Sequence, residues 1–329
     1  MKIEKDIDRD RFKKINKVKF DEIDKSLFTV VGIKNNDSEH LASKPYSYWK
    51  TVGKLLITNW TFIICVSLLL IFIALAIFVP IGKEAVPSNP TDRPSNTVAN
   101  PSWEYVFGLG VQGEDFWIEI WAGMRTTLLF ALLLTVIQIS IGILFGSIWG
   151  YFRKTDILFI QLTNFLQLVP QLILLLLVIF LLGNAYWPII FGISLQAWIS
   201  MASTIRVQIM LVKNTDYNTA SISLGSKPNK IIRKNIMPKI LPVIVQTGAF
   251  AIPNAISIDS SLSFLGFAFT DGKSTTSLGK VLNNVMVGSA WQDHPHLIII
   301  PIVLITTVSI VFFLVAKVFA DSLDPKNHR

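Results

Sequence analysis

The chain has 329 residues, 51% of them hydrophobic and including 22 Phe and 9 Trp, which is more apolar side chain than one compact water-soluble core needs. The formal charge of +8 invites a nucleic-acid partner, but the basic residues sit beside apolar runs and lack the aromatic or motif framework of a nucleic-acid module, so no nucleic acid is expected. One cysteine, Cys65, excludes an intrachain disulfide and a thiolate metal cluster.

Residues 1–59 interleave Lys and Arg with Asp and Glu and read as a cytoplasmic extension. Its last part, 46–60, carries Tyr46, Tyr48, Trp49 and Trp60 beside lysines, the pattern of a helix lying at the lipid headgroups. The first apolar stretch begins far from Met1 and is too long for a signal core, so it is expected to stay in the mature protein as the first span, 60–81. A hydrocarbon core about 30 Å thick needs roughly 20 apolar residues per helix. Six stretches meet that length almost without charge: 61–81, 126–151, 157–182, 188–210, 243–264 and 297–319. Open sheet edges cannot be satisfied in lipid and the runs do not alternate as barrel strands do, so the expected fold is an all-α integral membrane protein with six spans.

Loop charge orients the spans, because Lys and Arg are retained on the cytoplasmic side. Lys44, Lys50 and Lys54, then Arg153 and Lys154, then Lys213, Lys227, Lys230, Arg233, Lys234 and Lys239 share one face. On the other face Lys83 and Arg93 are outweighed by Glu84, Asp92, Glu104, Glu114, Asp115 and Glu119, while Asp271 and Asp293 balance Lys273 and Lys280. Both termini, including a tail at 320–329, are therefore expected in the cytoplasm of a multi-pass cell-membrane protein. Residues 82–125 form an external loop that begins rich in Pro and Asn.

Within the five later spans, 126–319, polar residues recur at helical spacing. Gln161, Asn164, Gln167 and Gln171 share one face of the third span; Gln196, Ser200, Ser203 and Thr204 make a weaker stripe on the fourth; Gln246, Asn254 and Ser257 are similar on the fifth. Uncharged amides are poor company for lipid tails, so they face a translocation path or bind neighbouring helices. Asp259 is an acid well inside a span, which costs about 3 kcal/mol or more unless paired or solvated, and its role is structural, gating or along the path. Gly142, Gly146 and Gly150 repeat every four residues on the second span, either as a seam with a second subunit or as packing within the chain. Pro170 is expected to kink the third span, and Arg206 to snorkel to the headgroups. His294 and His296 form a loop pair but belong to no metal motif.

The segment 211–242 lies between two apolar runs and is basic and turn-punctuated. A short helix from Asp216 to Leu224, capped by Asn214 or Thr215 and closed by Gly225, would make a compact knob. Ala220, Ser221 and Ser223 would let it approach a groove closely, with Tyr217 and Leu224 as anchors. Ile231, Ile232 and Ile236 then give an apolar face opposed by Lys230, Arg233, Lys234 and Lys239. The stretch GKSTT at 272–276 does not make a phosphate loop: Gly266 is one residue too far upstream and no strand precedes it. No Ser, His and Asp constellation or paired carboxylates stand on one scaffold either, so catalysis by this chain is not expected.

Thr219, Ala220, Ser221, Gly225, Pro238 and Pro242 follow the order of the cytoplasmic loop of binding-protein-dependent ABC transporter permeases, Glu-Ala-Ala, three residues, Gly, then a spacer ending in Leu-Pro. Phe107, Gly108, Gly113, Asp115, Gly123, Arg125 and Leu128, the run DSSLSFLGFAF from Asp259, the run SLGKVL from Ser277, and Asp321, Leu323, Asp324 and Pro325 extend the resemblance to the peptide and nickel branch of that family. The long loop and N-terminal extension resemble its C-type subunit, from oligopeptide or dipeptide importers. The departures are Leu109, Gly110 and Glu114 in the first motif, and Thr219 and Ser221 in place of Glu and the second Ala of the loop.

The resemblance implies a type I ABC importer permease fold, with the knob (Asp216, Tyr217, Thr219, Ala220, Ser221, Leu224, Gly225, Pro238) docking on an ATPase. It also implies a homologous B-type permease, two ATP-binding subunits that use ATP and Mg, an external substrate-binding protein, a peptide substrate and no cofactor on this chain. Nickel or another small solute is the alternative cargo, although no His or Cys cluster lies in the spans. An ATP-independent channel or secondary carrier is the alternative of another class; it predicts transport without a nucleotide-binding partner and an inverted repeat that the sequence does not display.

Overall fold

The computed structural model describes residues 48–87, 94, 97–267 and 276–323. The mixed-charge extension before Tyr48, most of the Pro- and Asn-rich stretch, Gly272 to Thr275 of the GKSTT run, and the tail from Asp324 lie outside the described residues. Among the described residues there is no strand; two isolated bridges, Ala99 with Leu109 and Leu109 with Asp115, shape the loop before the second span.

Helix α1, Tyr48–Thr58, precedes α2, Trp60–Phe78, with Asn59 capping the Phe62 amide between them. The Tyr48 hydroxyl donates to the Leu323 carbonyl at 2.7 Å and ties α1 to the end of the last helix. Helix α3, Phe116–Tyr151, starts well before residue 126 because Asp115 accepts from the Trp117 amide and Phe116, Ile120, Trp121 and Met124 bury an apolar face across its first turns. Helices α4, Arg153–Leu168, and α5, Gln171–Leu182, replace one continuous third span and meet at 79°. Helix α6, Tyr186–Lys213, leads to the short α7, Asp216–Ser223.

Helix α8, Pro228–Phe264, is 37 residues long and contains a π turn over Ile232–Ile236. The turn sits just before Pro238, whose missing N–H and bulky ring would otherwise clash with an α-helical register. Two short helices, α9, Leu278–Val287, and α10, Ala290–Asp293, precede α11, His296–Leu323. Five helices are long and apolar enough to cross a membrane, or six when the bent pair α4 and α5 counts as one span.

Helix α6 is the central one: 56% of its most apolar window is buried, against 17% for α2 and for α11. Its most extensive partner is α3. A Cβ on Gly142 would lie 2.5 Å from Met201, on Gly146 2.8 Å from the Ala202 carbonyl, and on Gly150 2.9 Å from the Arg206 carbonyl. The glycine repeat therefore serves close packing within the chain, which resolves the two readings left open by spacing alone. One core cluster, including Phe116, Phe130, Ile193, Ile256 and Leu278, fills one end of the bundle. A second, including Met201, Ile205, Ile209, Ile236 and Ile240, fills the end near α7.

Candidate functional site

Pro170 breaks the third span outright, because it has no N–H to offer the Leu166 carbonyl one turn earlier. The Gln196 side-chain amide, on α6, fills that gap by donating to the carbonyls of Leu166 at 2.6 Å and Val169 at 2.9 Å. At the elbow opens a cavity of about 230 Å³ lined by Gln138, Gln167, Gln171, Gln196, Ser200 and Asn254, with Leu134, Ala197, Ile199, Ala255 and Ile258 between them. Five of the path candidates, from α4, α5, α6 and α8, thus share one space. Gln138 on α3 completes it and lies 3.5 Å from the Ser200 hydroxyl. Sequence reasoning missed Gln138, although an isolated Gln in an apolar run was the available signal.

Gln161 and Asn164 lie on exposed α4 surface and do not line this cavity. Gln167, Gln171, Ser200 and Asn254 are also exposed, so the cavity opens on one side of the chain. Thr204 and Ser257 donate to the carbonyls of Ser200 and Pro253 in their own helices.

Asp259 is also absent from the cavity lining. It is 1% exposed and accepts from Thr127 at 2.6 Å and Ser263 at 3.4 Å. Ser277 donates to Ser263 at 3.0 Å, and the Leu278 amide donates to Thr127 at 3.3 Å. This closed network joins α3, α8 and the start of α9. It is tightly packed because Gly123 and Gly279 admit close backbone contact: a Cβ on Gly279 would lie 2.6 Å from the Ser260 carbonyl.

Nearby, Glu114 and Glu119 are both buried, and their carboxyl groups are hydrogen-bonded to each other. The sequence reading found no paired carboxylates; the loop before α3 brings these two together. Burial pushes the Lys280 ammonium on α9 down, opposed by the charge of Glu119. His294 contacts Asn100 at 2.8 Å and its ring lies 5.9 Å from that of His296, but among the described residues no three His, Cys, Asp or Glu gather as a metal site.

At the other end, α7 forms the knob. Thr215 is its N-cap without a side-chain bond. Gly225 adopts φ 78°, the Gly225 amide donates to Ile222 and the Ser226 amide to Ser221, so the helix ends in a Schellman turn. Asn218 is fully buried and its amide reaches the Val212 carbonyl of α6 at 2.9 Å. Asn235 donates to Ser221 at 3.1 Å, and the Lys239 ammonium lies 3.5 Å from the centre of the Tyr217 ring. Burial pushes the Tyr217 hydroxyl up, but hydrogen bonds with Thr215 and Lys239 and the Lys239 charge outweigh it and hold the phenol below its ordinary range.

Tyr217 therefore anchors the knob to its own chain instead of pointing to a partner. Asp216, Thr219, Ala220, Ile222, Ser223 and Leu224 are exposed, with Leu224 at 86%. Pro238 is exposed beyond the π turn. Arg206 pairs with Asp156 at 2.6 Å and lies 5.1 Å over the Trp149 ring, whose N–H also donates to Asp156, so it clasps α3, α4 and α6 instead of reaching for headgroups.

Comparison with known proteins matches residues 142–329 to the family model described as "Binding-protein-dependent transport system inner membrane component". Over 93% of this chain and 99% of the relative, the sequence is 30% identical to the oligopeptide transport system permease protein AmiD of Streptococcus pneumoniae. It is 27% identical to the oligopeptide permease protein OppC of Bacillus subtilis, over 92% of this chain and 98% of the relative. It is also 27% identical to the dipeptide permease protein DppC of the same species, over 90% and 91%. With its membrane-length helices and no strand among the described residues, the chain belongs to the family of binding-protein-dependent transport system inner membrane components.

Proposed function

We propose that this chain is the C-type permease subunit of an ATP-driven peptide importer, forming half of the translocation path beside a homologous B-type subunit. The observation that carries the reading is the amide-lined cavity at the α4–α5 elbow, open on one side of the chain. Amides supply both donors and acceptors without fixed charge, which suits peptide backbones bearing any side chains. The opening suits closure by a second subunit, and the exposed Gln161 and Asn164 would continue the polar stripe along that seam. Relatives of near-equal length that carry the names of oligopeptide and dipeptide permeases support the same cargo. Nickel favours imidazole or thiolate donors, and the cavity lining offers neither.

In this reading both termini and the α7 knob lie in the cytoplasm, where two ATP-binding subunits use ATP and Mg while this chain binds neither. An external binding protein delivers the peptide. The knob docks through Asp216, Thr219, Ala220, Ser221, Leu224 and the Gly225 turn, while Tyr217 and the Pro238 region hold it to α8. Because Asn218 ties the knob to α6 and Asn235 and Lys239 tie it to α8, its displacement reaches Gln196, Ser200 and Asn254 on those helices. ATP binding by the partners provides the free-energy difference between inward- and outward-open states; this chain transmits it.

The test is uptake of labelled peptides by proteoliposomes holding the complete transporter. Gly225→Pro and Ala220→Trp are expected to abolish uptake while membrane insertion and subunit assembly persist. Normal uptake by both would remove the knob's role, and nickel uptake without peptide uptake would remove the cargo.

A further inference from the structure

The amide-lined cavity does not end at the elbow. A second cavity of about 270 Å³ adjoins it and has Gln171 and Ile258 in common with it. Leu175, Ile193 and Leu262, all buried, form its floor, and Leu172 and Leu265 stand exposed at its rim. Ser257 and Ser261 complete the lining, on exposed positions of α8 that lie further from the α7 knob than Asn254 does. Packing fixes the floor: a Cβ on Gly192 of α6 would lie 2.9 Å from Leu175, so the glycine lets that side chain settle against α6.

Two features identify the occupant. No charged side chain lines the cavity, and its polar groups, Gln171, Ser257 and Ser261, are exposed at its open side above an apolar floor. A groove filled by lipid tails needs no polar mouth. The contrast is a cavity of about 390 Å³ between α3 and α6, where Trp187, Phe191 and Trp198 dominate the lining and no residue is shared with the amide cavity. That groove stands apart from the path, whereas the one beside Gln171 continues it. An extended peptide sets successive side chains about 3.3 Å apart along its backbone and on alternating sides. A backbone hydrogen-bonded to Gln171 therefore places a flanking side chain over the leucine floor.

We infer that this second cavity is a side-chain subsite of the path, receiving a large apolar side chain of a peptide whose backbone rests on the neighbouring amides; the inference rests on the importer reading above. The amides accept any peptide, and the subsite favours those with a leucine-like or aromatic residue next to the seated backbone.

The experiment uses the complete transporter in proteoliposomes with its binding protein saturated by peptide, so that receptor affinity drops out. One peptide carries a diazirine in a leucine-like side chain; light expels N2 and the carbene inserts into a touching C–H or O–H bond. Illumination takes place while vanadate arrests ATP hydrolysis, and adducts are mapped by mass spectrometry. They are expected within 172–175 and 257–265 of this chain. In parallel, Ser261→Phe, which fills the cavity from its open side, is expected to lower the ratio of trileucine to trialanine uptake by about tenfold.

Adducts only on the binding protein, on a second permease subunit or on lipid, or an unchanged uptake ratio in the variant, would each overturn the subsite while leaving the importer intact. Failure of the wild-type complex to take up any peptide would instead overturn the importer reading. The adducts are read on the wild-type complex, so a poorly folded variant does not decide the outcome.

Discussion

Asp259 and Asn254 lie little more than one turn apart on α8, and they belong to opposite kinds of polar site. Around Asp259 the polar groups are spent on one another: Thr127 and Ser263 donate to it, Ser277 and the Leu278 amide extend the network, and Gly123 and Gly279 let the backbones approach closely. Around Asn254 the amides of Gln138, Gln167 and Gln171 face an open space instead. The first arrangement spends its hydrogen bonds on holding α3, α8 and α9 together; the second leaves its groups available to something that passes. Polarity inside a span therefore marks two jobs, and helix packing decides which one a residue performs.

This contrast is broken most severely at the sealed site. Asp259→Ala strands two buried hydroxyls and is expected to cost about 1–3 kcal/mol of stability for each of them, as is typical of a buried polar group left without its partner. Thermal unfolding of the purified chain in detergent measures it, and an unchanged midpoint would dissolve the network's role. Gly279→Val drives a side chain into Ser260 and Ser263, and a loss of about 1–3 kcal/mol is expected in the same assay.

Gln196 stands between the two classes, since it lines the cavity and also satisfies the carbonyls freed by Pro170. Gln196→Leu should lose about 1–3 kcal/mol and also peptide uptake, whereas a pure path residue would lose uptake alone. Gln171→Leu and Asn254→Leu, on exposed positions of the open cavity, are expected to move stability by no more than about 0.5 kcal/mol while lowering uptake severalfold. A large stability loss at either position would place it with the sealed group.

Much of the architecture was legible because lipid imposes length and apolarity on every span, and those are properties of the chain alone. The knob was legible from Gly225, since a positive φ at a helix end needs glycine. Pro170 marked the elbow but not its 79° angle, which depends on Gln196 satisfying the broken turn from another helix. Arg206 looked like a snorkelling cation until α4 placed Asp156 beside it. Tyr217 looked like an outward anchor, yet Lys239, far along the chain, draws the ring inward. The Glu114 and Glu119 pair left no readable trace, because neither helical nor strand spacing joins a loop residue to the first turn of the helix that follows.

By itself, the order of residues determined that this protein is helical, crosses a membrane and presents a glycine-ended knob between two spans, since period, length and backbone freedom are local quantities. Tertiary structure alone decided which polar side chains are spent on one another and which remain open, because a buried hydrogen bond depends on what the neighbouring helix brings within 3 Å or so, and spacing along one helix does not contain that information.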